Sequence, residues 1–136
     1  MAAIVSTEVQ ISILFPQRAE IYDAIAGEAI TAGQAVYFNS SGKIIKSNAG
    51  AAGTAKFAGI ALNTAGAGQA VSVLVRGHIA GYTLSGAYGS KAYLSDTAGA
   101  LADAAGTVSV VAGSVVPLSD ASRTKVLYVN SSWLAL

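Results

Sequence analysis

The chain has 136 residues, enough for one domain with a real core and too few for two ordinary ones. Charged residues are only 11% of the sequence and the net charge is +1, with the basic residues scattered, so nothing gathers the phosphate-neutralising face that a nucleic-acid binder needs. Hydrophobic residues reach 53%, but 28 of them are alanines; no run approaches the roughly 18 apolar residues of a membrane span, and no cysteine is present to build a disulfide framework or a thiolate metal site.

From the N-terminus, Val9, Ile11, Ile13 and Phe15 alternate with Gln10, Ser12 and Leu14 until Pro16 ends the pattern, which predicts extended backbone. Residues 1–28 are therefore expected to form an extended N-terminal arm or a first strand, ahead of a single β-domain over 29–136. The opening MAAIVSTEVQ has neither the basic start nor the long apolar run of a signal peptide, and synthesis in a reducing cytoplasm is the expectation. Glu20–Ile30 is expected to hold a turn or two of helix before Gly33.

Ala35–Phe38 reads as a strand stopped by the turn residues Asn39, Ser40, Ser41 and Gly42. Val71–Arg76 reads as another, with Val71, Val73 and Val75 on one face and Ser72, Leu74 and Arg76 on the other. Ala92–Leu94 and Val126–Val129 complete the set, each closed by polar turn residues. The alanine-rich stretches 49–55 and 98–105 are broken by glycine and carry no apolar stripe at helical period, so little helix is expected despite the propensity of alanine.

The chain also resembles itself. Gly33–Phe38 matches Gly89–Leu94 at an offset of 56, while Ala58–Leu62 matches Ala112–Val116 and Val73–Val75 matches Leu127–Val129 at 54. Each copy reads as strand, glycine turn, short strand, glycine-led strand, turn and long closing strand, giving a repeat over 29–80 and 81–136. The expected fold is all-β: a small barrel or sandwich built from two similar meander units.

Catalytic chemistry has little to stand on. His78 is the only histidine, and the carboxylates sit mostly singly beside turn residues, without the alternating ligands of a calcium loop. Gly66-Ala67-Gly68 has no third glycine in register and leads into a strand, not a helix, so it reads as a turn and not a nucleotide loop. No catalytic residue, metal site or cofactor is expected, and the chain is not expected to be an enzyme. Tyrosine outnumbers the other aromatics; Tyr82 and Tyr88, in the glycine-rich connector 81–89, are candidates for contact with a partner, and Trp133 is expected to pin the C-terminal tail to the domain or to a neighbour.

The run Ala29-Ile30-Thr31-Ala32-Gly33-Gln34-Ala35-Val36-Tyr37, followed by Phe57-Ala58-Gly59-Ile60-Ala61 and by Ala67–Gly77, resembles the cement (head decoration) proteins of tailed-phage capsids, and Ala92–Gly99 through Val129 is similar to the closing unit of the same group. The resemblance implies a β-barrel-like homotrimer on the outer capsid surface of the virion, made in the host cytoplasm. It would bind the major capsid protein and bridge neighbouring subunits. Under that reading the arm adds a strand to a neighbour, anchored by Val9, Ile11, Ile13 and Phe15. The plainer possibility is that the arm is the barrel's own first strand. A trimeric tail-fibre or receptor-binding β-domain is the alternative function.

Overall fold

The computed structural model describes residues 3–6, 11–14, 19–84, 86–117 and 125–131. They form an all-β fold of twelve strands with no helix: β1 (Ala3–Ser6), β2 (Ser12–Leu14), β3 (Glu20–Ile25), β4 (Ala35–Phe38), β5 (Ile44–Lys46), β6 (Gly59–Ala61), β7 (Ala70–Ala80), β8 (Tyr82–Thr83), β9 (Lys91–Leu94), β10 (Leu101–Ala102), β11 (Val111–Pro117) and β12 (Lys125–Asn130). The main path through the curled sheet is β5-β4-β6-β7-β12-β11-β9-β10-β1-β8, with β2 and β3 added on β7.

The turn of helix expected within Glu20–Ile30 is not there. Glu20–Ile25 is strand β3, paired antiparallel with β7 from Glu20↔Arg76 to Ile25↔Ala70. Ile21, Tyr22 and Ile25 are β-branched or aromatic, and tertiary pairing with a long neighbouring strand outweighs the weak local helical preference of the segment.

The eleven-residue β7 organises the molecule. Leu74 pairs with both Ile21 and Ile60, Arg76 with both Glu20 and Asn130, and Ile79 with both Ile13 and Leu127. A strand residue has two edges only, so β3 and β2 lie in tandem along one edge of β7, and β6 and β12 along the other. The sheet forks at this point: one branch runs β6-β4-β5, the other β12-β11-β9-β10. A parallel bridge between Ala26 and Ile44 brings the end of β3 back to β5, so the first branch curls round on itself.

The two branches repeat the same hydrogen bonds at the offsets seen in the sequence. Gly33 N–H donates to Ala61 O and Gly89 N–H to Val115 O; Ala61 N–H donates to Gln34 O and Val115 N–H to Ser90 O; Gln34 N–H donates to Thr31 O and Ser90 N–H to Ala87 O. Gly42 and Gly99, in matching turns, both have φ of 78°. Because β7 is shared, its first half closes one branch against β3, and its second half stands to β12 as β3 stands to β7.

Two buried clusters lie on opposite faces of the first branch. Val36, Ala61 and Val73 face one, with Ala26, Ile30 and Ile44. Their chain neighbours Ala35, Ile60 and Leu74 face the other, where Ala92, Leu94, Leu101 and Leu127 of the second branch meet them. Double-sided burial explains why these strands are apolar throughout instead of alternating. Leu74, expected on the face opposite Val71, Val73 and Val75, is fully buried against the second branch for this reason.

Ser131 ties the branches together: its hydroxyl donates to Phe57 O at 2.8 Å, and its N–H donates to Val75 O at 3.0 Å. Asp96 anchors the loop that follows β9. It accepts from Thr107 N–H at 2.9 Å and from the Thr107 hydroxyl at 2.8 Å, which together hold its carboxyl below the ordinary aspartate range.

Candidate interaction surface

Among the described residues five large apolar side chains are exposed, and three of them, Ile21 (45%), Tyr22 (46%) and Ile25 (44%), belong to β3. The strand is accessible on both faces, with only Ala24 partly covered. Polar ties fix it on β7: Glu20 and Arg76 form an ion pair at 2.7 Å, and Asp23 accepts from the Ser72 hydroxyl at 2.8 Å. Both ties lie near water and contribute register more than stability. Tyr22 meets Phe38 of β4 edge to face, ring centroids 5.4 Å apart.

The direction of the backbone groups along β3 follows from its end. Ala26 N–H donates to Gln69 O at 2.9 Å and Ala26 O accepts from Gly68 N–H at 2.8 Å, so Ala26 points toward the β7 side. Alternation then turns the peptide groups of Asp23 and Ile25 the other way. Gly27, in step with them, donates to Ile44 O at 2.7 Å on that outer side. Among the described residues no strand pairs with the outer edge of β3 beyond the Ala26–Ile44 bridge.

The residues singled out in the sequence are spread over the fold. Ile11 and Ile13 are half-buried and pack on the cluster between the branches, with Ile13 opposite Ile79 in the β2–β7 ladder. Ile4, not singled out, does the same from β1, which lies between β10 and β8. Val9, Phe15 and Trp133 lie outside the described residues.

Tyr82 turns its hydroxyl inward to donate to Gly33 O at 2.6 Å, and burial pushes that hydroxyl far above its ordinary pKa. Tyr82→Phe leaves the buried Gly33 carbonyl without this donor and is expected to cost about 1–2 kcal/mol, read by denaturant unfolding. An unchanged midpoint would show that the bond contributes nothing. Tyr88 stands at the surface, 46% exposed, with the Lys125 ammonium 5.6 Å from its ring centroid.

A cleft of about 20 Å³ between Ile4, Thr83, Lys91, Asp103 and Val115 has room for a water molecule, far short of the several hundred Å³ of a small-molecule site. Among the described residues no three of His, Cys, Asp and Glu gather closely enough to hold a metal ion. The sequence signal for β3 was its β-branched and aromatic content, masked by the helix-favouring Glu and Ala around it.

The geometry defines a β-scaffold with an exposed apolar strand, β3. Residues 17–77 match the family model of phage cement proteins, which supports a structural, capsid-associated role. The matched stretch contains β3 to β6 and ends at Gly77, where β7 passes from the first branch to the second. No curated protein matches the chain.

Proposed function

We propose that the protein binds the outer surface of the phage capsid as a homotrimer and stabilises the shell by bridging neighbouring subunits of the major capsid protein. The observation that carries this reading is the coincidence of the cement-family match with the branch that bears the exposed β3 edge. Exposed apolar strand edges are a liability for a protein that stays alone, and their retention is understandable where a partner covers them. A clamp must also resist deformation between its contacts. Two branches sharing one strand, with a packed cluster between them, supply that stiffness. The low charge of the chain suits a component that is largely covered on assembly.

The test is reconstitution. Cement-free shells of the same phage, saturated with the protein, are expected to withstand higher temperature before disruption than shells alone, because binding to the intact shell stabilises it by mass action. An unchanged disruption temperature at saturation would refute the stabilising role. Failure to bind shells, with binding to tail components instead, would move the protein to a fibre or receptor-binding part.

A further inference from the structure

We propose that the outer edge of β3 is a strand-acceptor seat, filled on assembly by an extended segment of the major capsid protein that pairs antiparallel along Ile21–Asp23; this rests on the cement reading and names the contact it uses. The argument comes from the unequal treatment of two matching edges within one chain.

The second half of β7 stands to β12 as β3 stands to β7. Through the ladders, Ile21, Tyr22 and Asp23, opposite Leu74, Val73 and Ser72, correspond to His78, Ile79 and Ala80, the first two opposite Tyr128 and Leu127. In the second branch the far edge of that strand is covered: Leu14, Ile13 and Ser12 of β2 pair with His78, Ile79 and Ala80. Ile79 is 0% exposed, within the cluster between the branches. In the first branch no described strand takes the corresponding place, and Tyr22, the counterpart of Ile79, is 46% exposed. The chain therefore contains its own example of what completes such an edge: a short antiparallel strand with an apolar residue at its centre, as in Ser12-Ile13-Leu14.

The outward peptide group of Asp23 offers the hydrogen bonds, and the exposed Ile21 and Ile25 flank it with apolar surface. Main-chain pairing of this kind supplies affinity, and alternate side chains supply selectivity. A second copy of this chain is a poor donor, since lending its β2 would empty one seat for each one filled. The cement-family match covers β3, which bears the seat, and stops before the strands that build the second branch.

The experiment measures sedimentation of the full chain with cement-free shells assembled from the major capsid protein of the same phage. Asp23→Pro removes an outward N–H while leaving the β7 ladder bonds, and it is expected to weaken binding at least about tenfold. An Ile21→Lys/Ile25→Lys double variant keeps every N–H but charges the edge, and the same loss is expected; it decides the matter if Asp23→Pro fails to fold. Circular dichroism and oligomeric state are followed in parallel. If the parent chain binds and the folded variants bind equally well, the seat is not used, and the proposal falls while the cement reading stands. Loss of self-association with shell affinity unchanged overturns it in favour of a second copy. If the parent chain does not bind shells, the cement reading falls, and the seat with it.

Discussion

Gly113→Ala is expected to destabilise the protein by about 3 kcal/mol, and Gly59→Ala by a similar amount, lowering the melting temperature by about 10 °C in each case. A methyl group on Gly113 lands on the carbonyl oxygen of Tyr128 and 3.0 Å from its carbonyl carbon. One on Gly59 lands on the carbonyl oxygen of Leu74 and 2.6 Å from Val73 Cγ1. These neighbours are the backbone of the adjacent strand, not the movable end of a side chain, so relief requires the ladder itself to shift. The two sites are equivalent: Gly59 is to Leu74 as Gly113 is to Tyr128, at the same offset of 54. Gly53→Ala is the control, because its methyl group meets nothing within 4 Å, and a change within about 0.5 kcal/mol is expected there. Thermal or denaturant unfolding of the three variants checks the set. Equal stability of Gly113→Ala and Gly53→Ala would mean that the strands do not approach as closely as described.

Leu127→Ala is expected to cost about 3 kcal/mol, within the range for large-to-small changes in a core that cannot collapse. Leu127 is fully buried, lies opposite Ile79 in the β12–β7 ladder, and belongs to the cluster into which both branches project. Strands of both branches fix the walls of that site, so little of the lost volume is recovered by relaxation. The loss is expected as a lower denaturant midpoint with unchanged slope, which marks a change in stability and not in the extent of unfolding. A separate early transition would instead show that the branches unfold independently.

The strands were legible where turn chemistry and β-branched residues coincide, as in Ala35–Phe38, Val71–Arg76 and Val126–Val129, all of which lie within observed strands. The offsets of 54 and 56 were legible as well, because matching strand pairings require glycine at matching close approaches. Two features were not. β3 was hidden because local preference in Glu20–Ile30 is weak and its partner is about fifty residues away in the chain. The burial of Leu74 was hidden because alternation assumes one wet face, and only the second branch removes that face from water.

The exposed edge was not legible in place. Low charge and the scattered tyrosines led to the expectation of contact with a partner, yet the Tyr82 hydroxyl is directed at Gly33 within the chain, and the exposed apolar edge belongs to a segment expected to hold a turn of helix. Composition reports how much surface is apolar; which strand edge is left uncovered depends on the fork at β7, a property of the fold as a whole.

The most direct test of the central claim is the copy number and position of this protein in purified particles of its source phage, by quantitative mass spectrometry and imaging. A capsid cement predicts copies comparable in number to the major shell protein, spread over the outer surface of the capsid. A few copies confined to the tail, or none in the particle, would contradict it.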